Sequence, residues 1–450
     1  MSNNEARGEA SVPCGGSVVG GVAKIWGACG NTLSDRVPGA VCCGERYLLV
    51  SAYILFTIVG MSELSPTPAR YIMIGGFLGA GKTTAMGRLA RHLTDKGLRV
   101  GLITNDQAGG LVDTKLMRNQ GFATEEIAGG CFCCRFNTLV DAASKLTDAT
   151  KPDVFIAEPV GSCTDLVATV TYPLRRMYGT SFTVAPLSVL VDPIRARRVL
   201  GLDEGGNFST KVAYIYKKQL EEADVIVINK QELLTTEQMD ELIAALENEF
   251  PEAFVMSASA REQTGLKAWF DVMERDTQGS RAAMAVDYEV YADGEALLGW
   301  LNATVTLKAD DEFDANAFLK SFAADIQGRL QLQDAEVAHL KMTYSPDDGI
   351  AGEIASVNLV RNDNVPESGM SLDEPSTGGQ LIINLRAEAD PEALLRAVRE
   401  SLDAVKLQFF GLSATLDHEE HFRPGKPVPT HRDGEVAEVQ GGCTPSTTCC

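Results

Sequence analysis

The stretch that decides the fold is "YIMIGGFLGAGKTT", residues 71–84. Its first four residues are unbroken apolar, as in a strand buried on both faces. A glycine-rich turn follows, then "TTAMGRLARHLTDKG" (83–97), which has helical spacing and ends at Gly97. Gly76, four residues, Gly81, Lys82 and Thr83 satisfy the phosphate-loop pattern in the strand–loop–helix context it requires. Gly76, Gly79 and Gly81, with Ala80 between them, let backbone N–H groups turn inward around phosphates. The Lys82 ammonium reaches the β/γ oxygens. The Thr83 hydroxyl, with Thr84 beside it, is placed to hold Mg²⁺, and the helix points its positive end at the same anion.

Further runs repeat the first strand's character: "RVGLITND" (99–106), "PDVFIAEP" (152–159), "PLSVLVD" (186–192), "ADVIVINK" (223–230) and "AFVMSA" (253–258). Alternating with helix-like segments, they predict an α/β P-loop NTPase domain with a mostly parallel sheet over 66–275. The period fades over 276–295, which reads as a linker. "LLGWLNATVTLKA" (297–309) then alternates like a half-exposed strand, and "DANAFLKSFAADIQGRL" (314–330) reads as an amphipathic helix capped by Asp314. Strands near 336–344, 353–361, 379–387 and 411–416 and a helix at 391–405 complete a smaller α+β domain with an antiparallel sheet, 296–424. Residues 362–379 read as a long polar loop, and 425–450 as an irregular tail containing cysteines.

Other parts of a nucleotide switch fall in order. Asp106 closes the second strand, where it would hold or orient the Mg²⁺ shell. Glu158 ends the next strand and is the acid for Mg²⁺ or the attacking water; Gly161 offers an N–H to the γ-phosphate. Lys82, Asp106 and Glu158 are thus the candidate catalytic residues. Asn229 and Lys230 in "NKQE" would brace the base and the loop. Glu232 offers a carboxylate to guanine N1–H and the 2-amino group, although Asp is usual there, so ATP stays open as the substrate. Ser257 and Ala258 lie in the later loop, where the Ala258 backbone would contact guanine O6. No cis arginine finger is evident; Arg135 is a weak candidate.

"GGCFCCRF" (129–136) sets Cys131, Cys133 and Cys134 between the Asp106 region and the Glu158 strand. Three thiolates this close suit one borderline ion, Zn²⁺ or Co²⁺, with a position left open. Cys163 reads either as a fourth ligand or as a small buried residue. Together, "GGFLGAGKTT", "GGCFCC", Glu-x-x-Gly at 158–161 and "NK" before a carboxylate make the sequence resemble the CobW-like GTPases. These belong to the wider group that includes the urease and hydrogenase nickel-insertion GTPases. The resemblance is good over roughly 70–270 and looser over 297–424. It implies GTP-dependent delivery of zinc or cobalt to a client metalloprotein or a corrinoid-pathway protein, in the cytoplasm. Glu232, the Pro159-Val160 pair and Ser162-Cys163 depart from the usual pattern. A GTPase that gates corrinoid loading or reactivation of a methyltransferase, with its cysteines sensing redox state, is the alternative; a nucleotide-dependent scaffold is another.

The 450 residues are 45% hydrophobic and 22% charged, with a formal net charge of −21. Such a balance opposes binding to a phosphate backbone, so no nucleic-acid partner is expected. A homodimer is left open. The eleven cysteines cluster as metal or thiol chemistry does in a reducing compartment. "YLLVSAYILFTIVG" (47–60) is apolar but fourteen residues long, short of the ~20 that span a membrane. Residues 1–65 read as a disordered leader outside the core, with "MSELSPTPARYIMIGG" resembling a natural start; a membrane-associating anchor is the alternative. His418 and His421 are three apart and would share an ion on a helix, or sit on a solvated tail. Cys443, Cys449 and Cys450 read as a metal-scavenging end or as thiols of no defined role.

Overall fold

The computed structural model describes residues 68–106, 112–206, 208–347 and 353–434. The readings of 1–65 and of the three C-terminal cysteines lie outside them. The first sheet contains β1 (Ala69–Gly76), β2 (Val100–Asn105), β3 (Ala123–Ile127), β4 (Val154–Glu158), β5 (Phe182–Val184), β6 (Ser188–Val191), β7 (Val225–Ile228) and β8 (Phe254–Ser257). Its order is β3-β2-β4-β1-β6-β7-β8, with β5 also on β1. Neighbouring strands pair parallel, as Ile72 opposite Ile156 and Ile74 opposite Ser188 illustrate. Apolar clusters cover both faces, one around Phe77, Phe132, Phe155 and Tyr216, the other around Leu89, Leu102, Ile156 and Trp269. This is why the strands read as continuous rather than alternating. The chain leaves β1 towards β2 on one side, while β6 lies on the other. That reversal opens a crevice beyond the strand ends, the usual ligand position in an open α/β sheet.

Helix Lys82–Asp95 starts at once after β1 and buries Met86, Leu89, Ala90 and Leu93 against it. Two glycines are required there. A Cβ on Gly76 would stand 2.3 Å from the Leu190 carbonyl oxygen, at φ +130°, and one on Gly81 2.3 Å from Asn229 Nδ2, at φ +91°.

The second sheet is antiparallel and contains β9 (Leu298–Phe313), β10 (Glu336–Pro346), β11 (Ala355–Leu359), β12 (Glu367–Met370), β13 (Ser376–Glu388) and β14 (Leu412–Phe422), in the order β12-β11-β10-β13-β9-β14. Helix Ala315–Gln331, whose first turn Asp314 caps by accepting from Ala317 N, and helix Pro391–Lys406 pack on one face. The period of two decides the rest. Leu301, Val305, Leu340, Met342, Ile383 and Leu385 point to the helices. At the intervening positions Trp300, Lys341 and Arg386 face the phosphate loop, while Asn384 accepts from Val112 N and donates to Asn302.

Three readings are corrected. The stretch read as a linker, 276–295, ends in helix Tyr288–Leu297, whose Tyr291 and Glu295 are buried. Its apolar residues form no helical stripe, which hid it, and Gly294 lets it sit against the Lys211 carbonyl. The polar loop at 362–379 contains the edge strand β12, polar because an edge faces solvent. The last strand runs on to Phe422, so His418 and His421 lie on a strand. Residues three apart there point to opposite faces, and a shared ion is excluded; His421 instead pairs with Glu392 at 2.9 Å.

Candidate functional site

A cavity of about 700 Å³ lies over the phosphate loop, lined by Gly79, Gly81, Lys82, Thr83, Thr84, Asp106, Glu158, Gly161, Asn229, Lys230 and Glu232 on the first-sheet side. That is within the range of small-molecule sites. Thr83 Oγ1 donates to Glu158 Oε1 at 3.1 Å, and Lys82 Nζ lies 3.9 Å from the same oxygen. All three residues are buried. The Thr83 hydroxyl and the Glu158 carboxylate form a hard oxygen pair of the kind Mg²⁺ takes. Asp106 pairs with Arg386 of β13 at 3.0 Å.

The Asn-Lys pair braces the loop from below. Asn229 Nδ2 donates to Ala80 O at 2.8 Å, and Lys230 Nζ donates to Gly79 O at 2.8 Å and to Asp192 at 2.9 Å. Burial alone would raise the Asp192 carboxyl, but Lys230 and Arg361 pull it down to about 2. Gly76 and Ala80 shape the loop without lining the cavity, and Ser257 and Ala258 lie off its wall, which Ala260 and Arg261 form instead. Ala260 N bonds Asn229 Oδ1 at 3.0 Å, so the later loop is tied to the brace one turn further on.

The cysteines occupy the turn between β3 and helix Phe136–Thr150. Backbone bonds from Cys134 and Arg135 to the Cys131 carbonyl fold that turn back on itself. The sulfurs of Cys131, Cys133 and Cys134 lie within 4.8 Å of one another, the one such trio of His, Cys, Asp or Glu among the described residues. Separations are 2.8 Å for Cys131–Cys133, 3.3 Å for Cys131–Cys134 and 3.7 Å for Cys133–Cys134. Cys131 and Cys133 are buried and Cys134 half-buried. Hydrogen bonding with the sulfurs of Cys133, Cys134 and Cys163 holds the Cys131 thiol well below its usual range. The other three thiols are pushed up, Cys134 to about 11. Three sulfurs gathered in one turn form a donor set suited to a soft or borderline cation.

Asn105, the last residue of β2, connects the two regions. Its Nδ2 donates to Ile127 O at 2.9 Å and to Gly130 O at 2.8 Å, one residue before Cys131. Asn105 also lines the cavity. On the other side, Gly161 sits against Leu78 of the phosphate loop, where a Cβ would meet Leu78 Cδ2 at 2.8 Å. Cys163, two residues on, is buried in contact with the cysteine turn.

A segment of the chain's last described stretch lies across the cysteines. Val428 N donates to Cys134 Sγ at 3.3 Å, Thr430 N to Cys133 O at 2.8 Å and Thr430 Oγ1 to Cys134 O at 3.1 Å. His431 meets Phe136 edge-on at 5.1 Å, and Arg432 pairs with buried Asp165 at 2.7 Å. Residues 425–434 lack regular structure but are not without contacts. Neither this strap nor the second-sheet cations was anticipated from the sequence.

Residues 70–256 match the family described as CobW/HypB/UreG, nucleotide-binding domain. The chain is 30% identical over 168 residues to the zinc chaperone YeiR of Escherichia coli (strain K12), a match covering 37% of this chain and 47% of that protein. It is 30% identical over 183 residues to the zinc chaperone CobW of Sinorhizobium sp, covering 36% of this chain and 51% of that one. The chain thus spans about half the length of these curated relatives. The hydrogenase maturation factor HypB from Archaeoglobus fulgidus aligns at 19% identity and a TM-score of 0.33, over 46% of this chain and 89% of that one. No helix among the described residues is long and apolar enough to cross a membrane. The phosphate loop, the Asn229–Lys230 brace and the cysteine turn all lie inside the matched stretch, so residues 70–256 are similar to the CobW/HypB/UreG nucleotide-binding domains in the parts that build the site.

Proposed function

We propose that the chain is a GTP-hydrolysing metallochaperone that takes a transition metal at Cys131, Cys133 and Cys134 and passes it to a client metalloprotein or corrinoid-pathway protein. One observation carries this reading: Asn105, on the cavity wall, holds the carbonyl next to the first cysteine. A thiolate trio favours zinc or cobalt, and the similar proteins YeiR and CobW, both zinc chaperones, favour zinc.

Lys82 would bind the β/γ oxygens of GTP, and Thr83 and Glu158 would hold Mg²⁺, with Asp106 and its partner Arg386 ordering the surroundings. Bound Mg²⁺ supplies neutralising charge for the phosphates. Glu232 on the cavity wall offers its carboxylate to guanine. While the terminal phosphate is present, its contacts with Gly161 and the Asp106 end of β2 keep the cysteine turn in its gripping shape. Loss of that phosphate frees both, the turn relaxes, and the metal moves on.

Anaerobic titration with Zn²⁺, Co²⁺ and Ni²⁺, beside GTP and ATP hydrolysis by the same preparation, tests this reading. Wild type should bind one ion and prefer GTP, Cys131→Ala should lose the ion, and Lys82→Ala should lose hydrolysis. Unchanged metal binding in Cys131→Ala contradicts the chaperone reading.

A further inference from the structure

The phosphate cavity has a second wall, built by strands more than two hundred residues downstream. Lys341 of β10 places Nζ 3.3 Å from Thr83 Oγ1. Arg386 of β13 is fully buried, stacks 3.9 Å above the Trp300 ring, and donates through Nη1 to Leu301 O at 2.9 Å and Leu385 O at 3.0 Å while pairing with Asp106. Arg195 reaches the same sheet through Val337 O at 3.2 Å. His339, two residues before Lys341, also lines the cavity. Burial first, and then the charges of Lys341, Arg386, Lys82 and Arg195, hold its imidazole well below the usual value. In a chain of net charge −21, such a concentration of positive groups marks a site for an anion.

Thr83 gives that anion a position. In a phosphate loop the hydroxyl at this place sits beside the metal and the β/γ oxygens. An ammonium 3.3 Å from it therefore reaches the outer end of a bound triphosphate. We propose that Lys341 is a phosphate-binding residue of the nucleotide site, supplied by the second sheet and engaging the terminal phosphoryl group. A triphosphate then ties the second sheet to the phosphate loop through Lys341, and a diphosphate does not. The site thereby gains, from its own chain, a transition-state cation beyond Lys82. The proposal rests on the nucleotide reading above.

The test compares equilibrium binding of a non-hydrolysable fluorescent GTP analogue with that of fluorescent GDP, for wild type, Lys341→Gln, Lys341→Arg, Lys82→Ala and the charge control Lys308→Gln, an exposed lysine of β9. Lys341→Gln should weaken the triphosphate analogue by at least ~10-fold, the size of a hydrogen bond to a charged group, and GDP by less than about twofold. Lys341→Arg should recover most of the loss, and Lys308→Gln should change neither. Equal weakening of both nucleotides by Lys341→Gln, or none, overturns the proposal. Unchanged binding in Lys82→Ala would instead sink the nucleotide reading itself. Wild type gives a second readout that needs no variant: acylation of Lys341 by an amine-reactive ester, mapped by mass spectrometry, should slow with the triphosphate analogue but not with GDP. Equal rates with both overturn it.

Discussion

Asn105 Nδ2 donates to the Gly130 carbonyl at 2.8 Å, so the last residue of a strand ending at the nucleotide cavity grips the peptide that precedes Cys131. The same amide holds Ile127 O at 2.9 Å, and the two bonds fix the end of β3 and the start of the cysteine turn together. Removing a buried amide leaves both carbonyls without that donor. Asn105→Ala should lower stability by about 1–3 kcal/mol, measurable as a reduced urea midpoint with an unchanged slope.

Gly81 is held between a left-handed backbone and the Asn229 side chain. Alanine there meets Nδ2 at 2.3 Å with φ at +91°, so either the brace or the loop must move. Gly81→Ala is expected to weaken nucleotide binding by more than ~10-fold, since a strain of ~1–3 kcal/mol falls on the phosphate cradle. Fluorescent-nucleotide titration checks this, and a thermal midpoint lowered by only a few degrees separates it from global unfolding.

The strap over the cysteines hangs on Arg432. Its partner Asp165 is buried, with Tyr288 Oη as its other donor at 2.5 Å. Arg432→Ala should cost roughly 1–2 kcal/mol, reduced by the arginine's partial exposure. It should also loosen Val428 and Thr430 from the turn. The readout is alkylation of Cys134, the half-buried sulfur, which should speed up several-fold while Cys133 stays protected.

Glu222 is buried beneath the loop after β4, accepting from Thr164 Oγ1 at 3.1 Å and Val167 N at 3.0 Å. Burial is the larger influence and pushes its carboxyl up to about 8 from 4.5. A raised carboxyl keeps its proton in the folded chain while the unfolded chain has lost it. Its contribution is therefore complete below pH 4.5 and falls away as pH rises through 8. Between about pH 5.5 and 7.5 this amounts to at most about 3 kcal/mol. Glu222→Gln should flatten that decline in denaturation curves; an unchanged slope with pH would refute it.

What the sequence reveals depends on whether a residue's role is set by near neighbours. The phosphate loop, the Asn229–Lys230 pair and the cysteine trio are each defined within ten residues, and local spacing suffices to find them. Lys341 and Arg386 escape because their meaning lies in which sheet face turns toward a loop some 260 or 300 residues earlier. A signal existed in "LIINLRAE" (381–388), where Asn384 and Arg386 break an otherwise apolar strand. A buried arginine is costly unless a partner waits for it, and the partner is Asp106. The strap has no periodicity at all; prolines and single hydrogen bonds position it, so composition reads it only as irregular. His418 and His421 mislead for the converse reason: three residues apart means one face of a helix but two faces of a strand.

The most direct test of the account is zinc affinity measured against a competing chelator, in Mg²⁺ with either a non-hydrolysable GTP analogue or GDP, for wild type and Asn105→Ala. Wild type should hold zinc about 10-fold or more tightly with the triphosphate, and Asn105→Ala should show little difference between the two nucleotides. Equal zinc affinity in both nucleotide states of the wild type would contradict the claim that the phosphate and the three sulfurs are coupled.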